Sequence, residues 1–160
     1  MMRLFLFVVS LLPIDATAAS VVAALRVEAD ASAFTVQVTE GLTGGYQIAI
    51  DCTENCAKAI HYRETTGDAP LGLFSRDQNG LVFSIWSGGS AYRVMVWSVA
   101  GTSVQKVVEL SSRGRPNFLS DANGRPVIEI FEGDSGIAPP HRVRWTFIKG
   151  HFIRSAAKVN

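Results

Sequence analysis

Leu73-Phe74-Ser75, Asn79-Gly80 and Ile85-Trp86 return in the same order as Phe118-Leu119-Ser120, Asn123-Gly124 and Ile130-Phe131. The offset is 45 residues at Leu73/Phe118 and at Ile85/Ile130, then 48 at Trp97/Trp145 and 49 at Gly101/Gly150. The added residues fall at Ile137-Ala138-Pro139-Pro140, which reads as a loop insertion. Each copy is a short strand, an Asn-Gly turn, a strand, a Gly-containing loop, a Trp-bearing strand, a tight turn and a last strand. That is a four-stranded antiparallel meander, and a period of about 45 residues is that of a propeller blade. The copies cover approximately 70–111 and 115–156. Two copies cannot close a propeller, so three arrangements stay open. The strands between Val21 and Arg63 form a third sheet, the pieces pack face to face as a sandwich, or subunits complete one another.

The remainder of the chain is also written in strands. In Phe34-Thr35-Val36-Gln37-Val38-Thr39 apolar and polar residues alternate, and Tyr46-Gln47-Ile48-Ala49-Ile50-Asp51 repeats the pattern after Gly41-Leu42-Thr43-Gly44-Gly45. Further strands are expected at Val21–Glu28, Ala59–Arg63, Leu81–Trp86, Ala91–Val99, Ser103–Leu110, Val127–Phe131, Arg142–Ile148 and His151–Arg154. Gly88-Gly89, Ala100-Gly101 and Lys149-Gly150 punctuate them as turns. The fold class read from this pattern is all-β: antiparallel meanders, as propeller-blade-like repeats or a β-sandwich, in a single domain over 19–160.

The first eighteen residues read as an export signal. Met1-Met2-Arg3 gives a positive start, Leu4–Leu12 an apolar run, and Ala16-Thr17-Ala18 a small-x-small cleavage site. The run is too short to span a bilayer, which takes about 20 apolar residues. The expected location is periplasmic or secreted, with no stable membrane insertion. In that oxidising setting Cys52 and Cys56 are expected to form a disulfide, which requires the chain to curl directly after Asp51. A formal charge of +1 gives no electrostatic grip on nucleic acid. With 48% apolar and only 18% charged residues the chain is not disordered.

The segment Pro116-Asn117-Phe118-Leu119-Ser120-Asp121-Ala122-Asn123-Gly124-Arg125-Pro126-Val127-Ile128-Glu129-Ile130 resembles the blade signature of FG-GAP/VCBS-type β-propeller repeats, and the region 70–156 resembles small exported bacterial proteins with no assigned function. In such repeats the acidic turn often carries several calcium ligands. Here Asp121 and Asn123 in one copy, and Asp77 and Asn79 in the other, lack the further acidic ligands that six- to eight-fold oxygen coordination requires. Plain hairpin turns are therefore expected, with no metal and no cofactor.

The chemistry-bearing residues form no armed set. Gly133-Asp134-Ser135-Gly136 matches the nucleophile tetrad of trypsin-like proteases and His61 lies upstream, but a triad is defined by geometry, and the tetrad is also turn composition. His61, His141 and His151 are too scattered for a metal motif, and no phosphate-cradling loop occurs. Glu129, Glu132 and Asp134 are expected in ion pairs, Glu129 with Arg125 or Arg142. No catalytic residue is assigned.

Trp86, Trp97, Trp145, Tyr92 and Phe131 have two readings, as core or as a stacking surface. The candidate contact surface is the loop Trp86-Ser87-Gly88-Gly89-Ser90-Ala91-Tyr92, with Trp86, Gly88, Gly89 and Tyr92 its expected residues. The leading functional expectation is a non-enzymatic exported binding module for a protein or envelope component. The alternatives are a propeller-like lectin holding a glycan and a small hydrolase with an unrecognised site. A homo-oligomer is one of the assemblies left open.

Overall fold

A computed structural model describes residues 19–76, 80–133 and 140–156. The expected leader at 1–18, the Asp77 and Asn79 turn, and Asp134-Ser135-Gly136 with most of the insertion lie outside those residues.

Among the described residues twelve strands form three antiparallel sheets, each in simple chain order. Sheet 1 holds β1 (Ser20–Ala29), β2 (Ser32–Glu40), β3 (Tyr46–Glu54) and β4 (His61–Thr66). Sheet 2 holds β5 (Ala69–Arg76), β6 (Leu81–Ser87), β7 (Tyr92–Ala100) and β8 (Ser103–Ser112). Sheet 3 holds β9 (Asn117–Ser120), β10 (Pro126–Glu132), β11 (His141–Ile148) and β12 (His151–Ala156). The fold is all-β, and the N-terminal strands make a third meander of the same layout as the two repeat copies.

Two cores separate the three sheets. Val27, Phe34, Val36, Val38, Ile48 and Ile50 of sheet 1 meet Val82, Trp86, Met95, Trp97 and Val99 of sheet 2. On its other face, sheet 2 puts Leu81, Phe83, Val94, Val96 and Leu110 against Ile128, Ile130, Val143 and Phe152 of sheet 3. Sheet 2 is therefore covered on both sides. That is why Leu81-Val82-Phe83 and Val94-Met95-Val96-Trp97 run apolar without alternating, whereas β2, covered on one side, alternates.

The structure corrects the register of the repeat. Val82 stands across from Trp97 and Ile128 across from Trp145, and each tryptophan lies three residues before its β-turn end, at Ala100 and Ile148. Trp97 and Trp145 each face the preceding sheet. They are equivalent, and so are Val82 and Ile128, at an offset of 46. Ile85 and Ile130 are not equivalent: Ile130 faces the neighbouring sheet as Ser84 does, one residue out of step. The cause is a longer connection between β9 and β10: Phe118 pairs with Ile128 where Ser75 pairs with Val82. Gly101 matches Lys149 rather than Gly150, since Lys149 takes the first turn position with φ 49°.

At the open edge between sheets 1 and 2 the apolar core gives way to charge. Lys106 Nζ of β8 donates to Glu64 Oε1 of β4 at 2.8 Å and to Glu109 Oε2 at 2.6 Å. The Tyr62 hydroxyl also donates to Glu64. Burial works to raise the Glu64 carboxyl, but the hydrogen bonds from Lys106 and Tyr62 outweigh it and hold it below its usual range.

Candidate binding surface

Because every connection reverses the chain, the loops divide between two ends. At one end lie the β1–β2, β3–β4, β5–β6 and β7–β8 connections. Val99 N donates to Gly80 O at 2.8 Å there, and Ala57 N to Gly101 O at 3.1 Å. Cys52 and Cys56 are bridged at this end, with Cα atoms 6.0 Å apart. Asn55, in the left-handed region with φ 53°, turns the loop between them. Its side chain donates to Ala31 O at 2.9 Å, and its carbonyl accepts from Ser32 Oγ at 2.9 Å. The curl expected after Asp51 thus occurs after Glu54, and it stitches the disulfide loop to its own sheet and to sheet 2.

The opposite end carries the β2–β3, β4–β5, β6–β7 and β8–β9 connections. The β6–β7 loop closes with Gly88 N donating to Ala91 O at 2.9 Å. Gly88, Gly89 and Ser90 are exposed and Tyr92 is half-buried. Trp86 is not part of this surface. It is fully buried between sheets 1 and 2, its indole N–H donates to Ser84 Oγ at 2.6 Å, and its ring lies 6.5 Å from that of Tyr46. The physical reason is parity: on a strand covered by two sheets, both faces are interior. Below Gly88 sits the Asp68 carboxylate, 2.9 Å from Arg93 Nε.

Hollows open on this end. One, of about 790 Å³, is lined by neutral groups including Thr39, Thr43, Tyr46, Gln47 and Thr66. Two smaller ones adjoin, of about 330 Å³ and 390 Å³, and share Arg113 and Phe131. Arg113 anchors the connection to sheet 3, its backbone N–H donating to Phe131 O at 2.8 Å. Its guanidinium reaches Ser90 Oγ at 3.4 Å, so the β6–β7 loop and these hollows form one surface. Phe131 is a fixed wall: a Cβ on Gly114 would stand 3.0 Å from its ring, and Arg142 lies 5.7 Å from the ring centroid. Phe131, one of the aromatics with a stacking-surface reading, does line this surface; Arg113 and Arg115 carry no motif of their own, and the signal available was Arg113-Gly114-Arg115 placed between two repeats.

The remaining polar candidates are engaged elsewhere. His61 Nδ1 lies 2.7 Å from Asp51 Oδ1 on the outer face of sheet 1, beside Arg63. Burial works to raise the Asp51 carboxyl, but Arg63 and His61 outweigh it and lower it. Asp121 uses both oxygens on its own turn, accepting from Asn123 N and Arg125 N at 2.9 Å and from Arg125 Nε at 2.7 Å. His141 is 4.0 Å from Glu132, which Arg154 holds at 2.6 Å, and His151 is exposed. Among the described residues no three His, Cys, Asp or Glu side chains are grouped to hold a metal ion.

Glu129 is 3% exposed although it lies on the outer face of sheet 3. Arg144 Nε donates to it at 3.0 Å and Asn117 Nδ2 at 3.2 Å, while Arg142 Nε stands 3.3 Å away. The expected partner Arg125 is instead bound to Asp121. The chain matches no protein-family model, no curated protein and no solved structure.

Proposed function

We propose that the protein is an exported, non-catalytic binding module built of propeller-type blades, which engages a protein or envelope component through its β6–β7 end. The observation that carries this reading is the convergence there of an exposed Gly-Gly-Ser loop and two arginine-lined hollows. Exposed glycines let a partner approach the backbone, and loops set on a rigid sheet are the usual place for recognition. The charged clusters elsewhere are closed by their own partners, as ion pairs bridging strands or sheets. The local FG-GAP/VCBS-like motif and the three meanders of one layout support the blade description, and the leader-like N-terminus supports export.

The test is retention of the mature protein on immobilised cell-envelope polysaccharide and envelope protein fractions. Ser90→Trp places bulk on the proposed end and Thr102→Trp places it on the opposite one; both positions are exposed. Retention lost in Ser90→Trp and kept in Thr102→Trp is expected. Equal retention of both variants, or release of a cleaved product from the matrix, would count against the reading. A lectin holding a neutral glycan is favoured only by the 790 Å³ hydroxyl- and amide-lined hollow, and an array of neutral glycans tests it.

A further inference from the structure

We infer that the two adjoining hollows around Arg113 form one site for an acidic sugar chain, with Arg113 and Arg115 recognising ring carboxylates. The inference rests on the binding-module reading and names the chemistry of its ligand. Seven arginines, Arg26, Arg63, Arg93, Arg125, Arg142, Arg144 and Arg154, lie within 4 Å of a carboxylate. Arg76, Arg113 and Arg115 have no acidic partner among the described residues, and of these Arg113 and Arg115 line the same concave surface, separated only by Gly114.

The lining fits one kind of molecule. A guanidinium offers a planar fork of donors that a carboxylate accepts in two parallel hydrogen bonds. Ser111 and the Asn117 amide oxygen add neutral hydrogen-bonding groups, and Phe131, its ring close to Gly114 and Arg142, adds apolar surface. Glu132 also faces the first hollow, but its charge is already offset by Arg154. Hydroxyls, a carboxylate and an apolar ring edge are together the surface of a uronic acid. The two hollows, about 330 Å³ and 390 Å³, lie side by side as consecutive rings of a chain would require.

The experiment uses the mature protein and three immobilised probes: polygalacturonate, its methyl ester, and poly-glutamate. Arg113→Gln/Arg115→Gln removes both charges at exposed or half-exposed positions without touching the Arg113 backbone bond, and circular dichroism checks the fold. Retention on polygalacturonate, at least tenfold weaker on the ester and in the double variant and falling with added salt, is expected. Equal retention on the ester, no effect of the double variant, or no retention on either polyanion overturns the inference. Tighter retention on poly-glutamate overturns the sugar assignment while leaving this end as the binding end, which Ser90→Trp judges separately.

Discussion

Phe83 and Glu129 occupy the same position in successive sheets. Each is in the second strand and points away from the preceding sheet, Phe83 across from Val96 and Glu129 across from Arg144. By the same register Val94 corresponds to Arg142. In sheet 2 these residues are the second core; in sheet 3 the same positions form a closed Glu129–Arg142–Arg144–Asn117 network. The substitution ends the stack, as a terminal repeat with a polar outer face must.

Removing that charge should restore the missing interface. Glu129→Phe/Arg142→Val/Arg144→Val, which rebuilds the face of sheet 2, is expected to self-associate while the parent protein stays monomeric. Leu119 and Ile153, 39% and 51% exposed on the same face, would enlarge the apolar patch. Light scattering on both proteins checks this, and an unchanged mass in the triple variant would contradict the role given to the network.

Acid should destabilise the protein through the same group. Burial works to raise the Glu129 carboxyl, but hydrogen bonds from Arg144 and Asn117 and the charge of Arg142 outweigh it, so its pKa is lowered. Glu64 and Asp51 are lowered as well. A group with a depressed folded pKa contributes its full stabilisation above the unfolded value, about 4.3 for Glu, and loses it as pH falls through the folded value. Urea midpoints should therefore be level near neutrality and fall below about pH 4. Glu129→Ala should cost about 2–3 kcal/mol at neutral pH, the scale of hydrogen bonds to a charged group, and should flatten the acid slope.

Trp86 and Tyr92 flank one loop but should respond very differently to truncation. Trp86→Ala empties an indole-sized space between two sheets and removes the indole donor to Ser84 Oγ, at a cost of about 3–5 kcal/mol. Tyr92→Ala at a half-buried position should cost no more than about 1–2 kcal/mol. Chemical denaturation of the two variants makes the comparison.

Gly80 and Gly124 close matching turns in sheets 2 and 3, with φ 63° and 74°. Both positions disfavour a side chain, by about 1–2 kcal/mol from backbone strain. Only at Gly80 would a Cβ also stand 2.3 Å from Val99 O and 2.9 Å from Ala29 Cβ; at Gly124 it meets nothing within 4 Å. Gly80→Ala should lower the melting temperature clearly more than Gly124→Ala does.

The meanders were legible because pattern and punctuation agree: alternation in β2, unbroken apolar runs in β6 and β7, and glycine at the turns. Three features were not. β4 begins at His61 and runs to Thr66, later than expected, because Ile60 enters the core from the disulfide loop while Thr65 and Thr66 pair with Gln47 and Tyr46. Trp86 was placed on the surface because a glycine loop follows it, and a strand covered on both sides carries no parity to say otherwise. Arg113 lies in the β8–β9 connection and Phe131 in β10, so their meeting depends on how sheet 3 docks on that connection, which no local pattern records.

Every paired strand is also the next strand in the chain. A nascent polypeptide can therefore finish one sheet before the following one has been synthesised, and no strand made early waits for a distant pairing partner. The faces do wait: Phe34, Val36 and Ile48 stay uncovered until sheet 2 is made, and Phe83, Val94 and Val96 until residues 117–156 arrive. Translation that stops shortly after Ser112 would leave a product with a greasy flank, which residues 117–156 cover.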